Sequence, residues 1–309
     1  MKLTRPLRGV VPPLVTPLLD RDKLDAAALE RLLASLIDAG IHGVFPLGTT
    51  GEAASLSNRL RRELIERVCA QAQGHIPVLA GVSDTSIVES LRLAEHAASC
   101  GAAGVVMTAP YYFAVTQAEM LEFLERVSGE FPLPVFLYDL PSHVRFRFDP
   151  DTVRRASELP NVWGIKDSTG DFDQFLALKD ALADKPDFTI LVGPEQLLGA
   201  AVSRGAHGGV CGGANLYPEL YVGLYHAAVA GDVDEVERRQ AMVMKICEQI
   251  YGVGREQSSY LRAMKCALAW KGVMGQDFLA EPYSALRGEE RQRVRECLVE
   301  IGILPQPVC

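Results

Sequence analysis

No uncharged apolar run of membrane-spanning length occurs in this 309-residue sequence, and prolines interrupt MKLTRPLRGVVPPLVTPLLD before a signal-peptide core could form. Neither membrane insertion nor secretion is expected. Its seven cysteines, Cys69, Cys100, Cys211, Cys247, Cys266, Cys297 and Cys309, are an odd, scattered set without a C-x-x-C pair. Reduced thiols in a cytosolic protein are therefore expected, most of them acting as small core residues. The six histidines show no H-x-H or H-E-x-x-H spacing, so each reads as structural and no metal site is expected. Basic charge is in short supply too. Against 39 acidic residues there are 31 Lys and Arg, and the formal charge of −8 disfavours nucleic acid and anionic lipid as partners. Also missing is a G-x-G-x-x-G after the first apolar run, where a dinucleotide site would announce itself.

What is present is a 48% apolar chain, long enough for one large α/β barrel or two ordinary domains. Eight short apolar, β-branched runs recur along it: 10–16, 43–48, 77–82, 104–110, 134–141, 162–168, 188–194 and 208–213. Helix-period segments lie between most of them. Leu29, Leu32, Leu33, Leu36 and Ile37 are spaced to share one face before Gly40 stops the helix. Ser86 with Glu89 and Thr116 with Glu119 have capping-box spacing, and Asp149 before Pro150 fits an N-cap followed by the first helical position. Strand alternating with helix implies parallel pairing through right-handed crossovers, and continuous apolar runs fit strands buried on both faces. Eight such units predict a closed (β/α)₈ TIM barrel over residues 1–214. Helix patterns over 216–230, 232–251, 256–271 and 288–301 predict a helical extension over 215–309.

In such barrels polar residues at the C-terminal ends of the strands carry the chemistry. Of the eight lysines, seven sit in the N-terminal tail, loops or polar-patterned helices, whereas Lys166 lies inside the strand-like VWGIKDS. One reading pairs it with Asp167. The other follows from alternation, which aims Trp163, Ile165 and Asp167 to one side and Gly164, Lys166 and Ser168 to the barrel interior, with Gly164 leaving room for the lysine stem. An amine in a largely apolar barrel mouth loses hydration of its ammonium form, which favours a neutral nucleophile able to attack a carbonyl. Tyr138, near the end of the preceding strand, is either one more buried aromatic or a proton donor and acceptor for imine chemistry and carbon–carbon cleavage. GTTGE (48–52) is either a glycine-bracketed turn or a concave set of hydroxyls and closely spaced amides suited to the carboxylate of a 2-oxo acid. Glu52 reads as loop structure. Gly208-Gly209 and Gly212-Gly213 read as sites of close backbone packing rather than phosphate binding.

GTTGE after the second strand, PYY after the fourth, Y-x-x-P-S after the fifth and GIKDSTG on the sixth, in that order, form a specific set. The chain resembles the dihydrodipicolinate synthase/N-acetylneuraminate lyase family of pyruvate-dependent class I aldolases over essentially its whole length. That resemblance implies Lys166 as the imine-forming lysine, Tyr138 as the proton relay, and Thr49 and Thr50 as binders of the 2-oxo acid carboxylate. Gly48, Val210 and His143 are expected to complete the substrate contacts. It also implies a homotetramer built as a dimer of dimers, in whose synthase branch the residue at Tyr112 reaches across the dimer interface to complete the relay. The chain departs from that branch where PSHVRF puts His143 in place of an arginine that receives a second carboxylate, and where Asp139 replaces an asparagine. On a continuing strand Arg145 would share the facing of His143.

The expected activity is a cytosolic Schiff-base lyase or aldolase, with no cofactor beyond its own lysine. Its substrate would be pyruvate, a 2-oxo-3-deoxy sugar acid or a 4-hydroxy-2-oxo acid. The alternative enzyme is a 4-hydroxy-tetrahydrodipicolinate (dihydrodipicolinate) synthase condensing pyruvate with aspartate semialdehyde. The alternative of another class is a non-catalytic barrel that senses a 2-oxo acid, a role needing neither Lys166 nor Tyr138.

Overall fold

The computed structural model describes residues 3–254 and 256–306. The chain enters at the bottom of the barrel with β1 (Gly9–Val10), makes a small hairpin of β2 (Leu18–Asp20) and β3 (Lys23–Leu24), and continues into α1 (Ala26–Asp38). The face expected of α1 is the one it buries: Leu29, Leu32, Leu33 and Leu36 are shielded from water, each worth about 1.5–3 kcal/mol. Asp25 caps its start by accepting from the Ala28 amide at 3.0 Å. Then follow α2 (Asn58–Ala72), β4 (Leu79–Gly81), α3 (Ile87–Ser99), β5 (Gly104–Thr108), α4 (Gln117–Val127) and β6 (Val135–Asp139). The barrel is completed by α5 (Pro150–Ala156), β7 (Val162–Asp167), α6 (Phe172–Ala181), β8 (Thr189–Val192), α7 (Leu198–Ser203) and β9 (Gly208–Gly209).

Seven strands pair in parallel in the order β1-β9-β8-β7-β6-β5-β4. The gap between β4 and β1 is closed by residues 43–46, which bond to both neighbours without forming a regular ladder. The Val44 amide donates to Pro77 O at 3.0 Å, while on the other side the Phe45 amide donates to Pro12 O and Leu14 to Phe45 O, both at 2.9 Å. Pro12, Pro13, Pro46 and Pro77 have no N–H to give, so the first two runs pair only in part although the barrel closes as an eight-membered ring. The last run also shortens, from 208–213 to two residues. Gly208 lies so close to the first strand that a Cβ there would fall 1.9 Å from Gly9 O, which is the close backbone packing expected of this pair.

The capping boxes divide. Thr116 and Glu119 form theirs, with the Glu119 amide donating to Thr116 Oγ1 at 3.3 Å and the Thr116 amide to Glu119 Oε2 at 2.7 Å. Ser86 does not cap α3 with its side chain. Asp84 Oδ1 instead takes the Ser86 amide at 3.1 Å. Asp149 and Pro150 occupy the N-cap and first-turn positions, again without a side-chain cap.

After the barrel come α8 (Pro218–Ala230), α9 (Val233–Lys245), α10 (Ser259–Trp270) and α11 (Gly288–Glu300). A π-turn at Ile246–Ile250 extends α9, so the single helix expected over 232–251 has two parts. The six described cysteines are free thiols, and Cys309 lies outside the described residues. Among the described residues no helix is long and apolar enough to cross a membrane, and no three His, Cys, Asp or Glu side chains gather as metal ligands would.

Candidate active site

Two cores fill the interior. The larger packs the helices on the outside of the sheet, while a smaller cluster of Leu7, Val11, Phe45, Leu79, Val106, Phe136, Tyr138, Leu140, Leu191 and Val210 plugs the barrel from within. Above the plug, at the C-terminal ends of the strands, lies a cavity of ≈ 460 Å³.

Tyr138 lines this cavity, and Lys166, opposite it in the β6–β7 register, lies behind the tyrosine ring without lining the cavity itself. Both are 5% exposed. The lysine Nζ is 4.0 Å from the centre of the Tyr138 ring and 5.1 Å from that of Phe45. Pairing with Asp167 is ruled out by facing: Asp167 lies on the outer side and accepts from the Thr169 amide at 2.9 Å and hydroxyl at 2.7 Å. Two aromatic rings thus flank the amine, and its sequence neighbour supplies no carboxylate partner.

The space for the lysine does not come from Gly164. A Cβ on Gly164 would meet Thr189 and Phe136, whereas one on Gly193, at the end of β8, would lie 3.3 Å from Lys166 Cε and 1.9 Å from Ser168 Oγ. Gly193 is thus a site residue that the sequence pattern does not single out. Trp163 also departs from simple alternation. The register shifts between Val135 and Phe136, and Trp163 joins Leu3 against the inner cluster at the barrel bottom under the Arg5 guanidinium, 4.6 Å from the ring centroid. A bulge turns the side chain that follows it to the other face.

The turn 48–52 sits over Tyr138. Thr49 Oγ1 is 3.3 Å from the Tyr138 hydroxyl, and Thr50 Oγ1 is 3.1 Å from the hydroxyl of Tyr260 on α10. Leu47 and Glu52, with φ of 62° and 57°, bracket the turn in left-handed conformations that side chains adopt only when held there. The Gly51, Glu52 and Ala53 amides are taken up by Gly48 and Thr49 carbonyls, so fewer donors remain free than GTTGE suggests: the hydroxyls and the first amides of the turn. Gly48 packs on Phe45, where a Cβ would be 2.9 Å from the ring.

Glu52 is structural, as its sequence context suggests, and its partner is unexpected. It forms an ion pair with Lys265 of α10, which reads as a polar-face lysine and is 2% exposed. Glu52 Oε2 also accepts from the Ala280 amide at 2.7 Å, and Lys265 Nζ donates to Phe278 O at 2.8 Å. Among the described residues Lys166 is therefore one of two deeply buried lysines, and it is the one without an acidic partner of this kind.

His143 lines the cavity. Strand β6 ends at Asp139, and the His143 amide donates to Leu140 O at 3.0 Å in a turn, so the continuing strand that would align Arg145 with His143 does not exist. His143 is exposed on its outer side, and partial desolvation lowers its pKa and disfavours the imidazolium form. Asp139 points away from the cavity into the helix layer. There burial, with Asp167 adding, pushes its carboxyl up to about 7, while the Phe148 amide and Arg147 pull the other way. Val210 packs beside Tyr138 in the plug without lining the cavity. Tyr112 stands apart: it is 75% exposed, edge-on to the equally exposed Phe113, and its neighbour Tyr111 lines the cavity.

The remaining wall is contributed by the C-terminal helices through Gln257, Ser258, Tyr260, Leu261, Pro282 and Tyr283. None of these is legible as a site residue from sequence. The polar groups they add to His143, Ser83 and Thr108 are uncharged.

The model of the dihydrodipicolinate synthetase family matches residues 6–301. The chain is 34% identical over 298 residues to an uncharacterized DapA-like lyase of Halobacterium salinarum, covering 96% of this chain and 95% of that one. To a 4-hydroxy-tetrahydrodipicolinate synthase of Methanopyrus kandleri it is 29% identical over 302 residues, 97% and 98% of the two chains. Among solved structures, dihydrodipicolinate synthase from Bacteroides thetaiotaomicron matches with a TM-score of 0.94 and 49% identity over 96% of this chain and 100% of that one. A prophage protein of the dihydrodipicolinic acid synthase family from E. coli K12, solved in complex with pyruvate, matches with a TM-score of 0.91 and 26% identity over 97% and 100%.

Proposed function

The chain belongs to the dihydrodipicolinate synthetase family of class I, aldolase-type lyases, and from that premise we propose that it forms a Schiff base through Lys166 with a 2-oxo acid whose distal part is uncharged and hydroxylated. A 2-oxo-3-deoxy sugar acid or a 4-hydroxy-2-oxo acid fits that description. The observation that carries the reading is Lys166 Nζ held 4.0 Å from the centre of the Tyr138 ring, with Tyr138 hydrogen-bonded to Thr49.

In this scheme the Lys166 amine attacks the C2 carbonyl, and Tyr138 protonates the carbinolamine oxygen so that it leaves as water. The resulting iminium accepts the C3–C4 bonding pair while the Tyr138 oxygen takes the proton of the C4 hydroxyl. This releases an aldehyde and leaves an enamine, which is protonated at C3 and hydrolysed to pyruvate and free lysine. Thr49 holds the tyrosine hydroxyl in line for these transfers. Thr49 and the backbone from Gly48 to Thr50 receive the substrate carboxylate, Thr50 through its peptide because its side chain is off the cavity wall, with Val210 supporting the floor. His143, whose pKa is lowered, and the uncharged polar groups of Gln257, Ser258, Tyr260 and Tyr283 favour a hydroxylated distal end. Among the described residues the one carboxylate on the wall, Glu52, is paired with Lys265, and an imidazole is a poor substitute for a bidentate guanidinium.

The exposed Tyr112–Phe113 pair supports assembly as a homotetramer in which Tyr112 serves a neighbouring subunit, and the free thiols suit a cytosolic setting. The synthase reaction is the competing reading, favoured by the names of several relatives. Assaying pyruvate with aspartate semialdehyde beside cleavage of 2-oxo-3-deoxy sugar acids separates the two, and a faster synthase reaction would displace the cleavage of a hydroxylated 2-oxo acid as the main activity.

A further inference from the structure

We propose that Tyr260, on the helical extension, is a positioning residue for the carboxylate-binding turn: by holding Thr50 Oγ1 it fixes the Thr49–Thr50 peptide against the 2-oxo acid. This rests on the proposal that the turn receives the substrate carboxylate.

The contact is a single one, Thr50 Oγ1 to Tyr260 OH at 3.1 Å, beside the Thr16 hydroxyl that donates to Gly51 O at 2.8 Å. Burial raises the pKa of the Tyr260 phenol well above its usual value, so it keeps its proton and is a competent donor to Thr50. The phenol is itself held in a fitted cradle. A Cβ on Gly212 would lie 1.5 Å from its oxygen, so that position is open only because it is glycine. The Tyr251 ring meets it edge-on, with centroids 4.8 Å apart. Buried Glu195 accepts from the Gly213 amide at 2.7 Å and from the Tyr221 hydroxyl, and so fixes the loop that forms the cradle.

A second contact from the same helix holds the far end of the turn. Lys265 pairs with Glu52, whose left-handed backbone needs such a restraint. Helix α10 thus grips the turn at Thr50 and at Glu52, and the extension does more than cover the barrel. Tyr260 also lines the cavity, so the Thr50 background separates its action through the turn from direct contact: Thr50 is buried and off the cavity wall while Thr49 lies on it.

The test is borohydride trapping at Lys166 across a range of pyruvate concentrations, together with steady-state kinetics on the best cleaved substrate. Tyr260→Phe is expected to raise the half-saturating pyruvate concentration by about three- to tenfold, the range for one neutral hydrogen bond. The rise should fall on half-saturation, with trapping at saturating pyruvate still complete. In a Thr50→Val background Tyr260→Phe should add nothing, since its partner is gone. Gly212→Ala keeps the tyrosine but displaces its hydroxyl, and should reproduce the same rise even where Tyr260→Phe folds poorly. Unchanged half-saturation in these variants overturns the inference, as does a Tyr260→Phe effect that persists in the Thr50→Val background, which would mark direct substrate contact. Both results leave the Schiff-base reading standing. Absence of trapping in the unmodified protein removes that reading and this inference together.

Discussion

Tyr138 and Lys166 lie opposite each other on adjacent parallel strands, and this register sets the lysine amine against the tyrosine ring that lines the barrel mouth. Thr49 then reaches the tyrosine hydroxyl from the turn above. Removing that hydroxyl should separate binding from turnover. Tyr138→Phe is expected to keep its fold and its capture of pyruvate while losing about two to four orders of magnitude in kcat. Far-ultraviolet circular dichroism, borohydride trapping and steady-state rates check the three parts. Near-normal turnover in the folded variant would reject the relay.

Specificity should turn on His143. Without a charge-assisted contact to a second carboxylate, pyruvate with aspartate semialdehyde should be used about ten- to a hundredfold less well than cleavage of a 2-oxo-3-deoxy sugar acid, compared as kcat/KM. His143→Arg should recover part of the synthase activity. Asp139 faces the helix layer and offers this exchange neither help nor hindrance through direct contact.

The buried pair Glu52–Lys265 should be far more costly to break than to keep. Lys265→Met leaves the Glu52 carboxylate uncompensated beside the Ala280 amide and should destabilise the protein by about 3–5 kcal/mol. Glu52→Gln with Lys265→Met should recover much of that loss in denaturant unfolding. Equal destabilisation by the double variant would contradict the pairing.

Asp139 gives the fold a pH dependence opposite in sign to that of an ion-paired carboxylate. Its folded pKa of about 7 lies above the ordinary value of 3.8, so between these the folded protein holds a proton that the unfolded chain has lost. Stability contributed by this group is therefore full below about pH 4 and falls as pH rises to about 7, by roughly 3–5 kcal/mol. Asp139→Asn should remove the loss, and its stability relative to the unmodified protein should grow across that window in denaturant titrations. A constant difference would show that Asp139 ionises normally.

Much of the fold is written in local sequence. The β-branched runs mark the strands, Leu29 to Ile37 mark a helix face, and a lysine between Ile165 and Asp167 marks a buried amine inside the barrel, because each signal is carried by neighbours in the chain. Alternation misplaces Trp163 because a bulge reverses it, and a bulge depends on the partner strand. Gly193 and Tyr260 are invisible in sequence for a related reason. A glycine that clears a lysine on the next strand and a helix tyrosine that reaches a turn more than two hundred residues earlier acquire meaning only when the barrel closes. Lys265 looks like a surface residue because nothing nearby in sequence announces Glu52.

The most direct measurement is peptide mapping by mass spectrometry after reduction with borohydride in the presence of pyruvate. One equivalent of a stable secondary amine should appear on the peptide containing Lys166, and none should form in a folded Lys166→Ala variant. Labelling that persists in that variant, or maps to Lys265 or another lysine, would contradict the assignment of Lys166 as the Schiff-base residue.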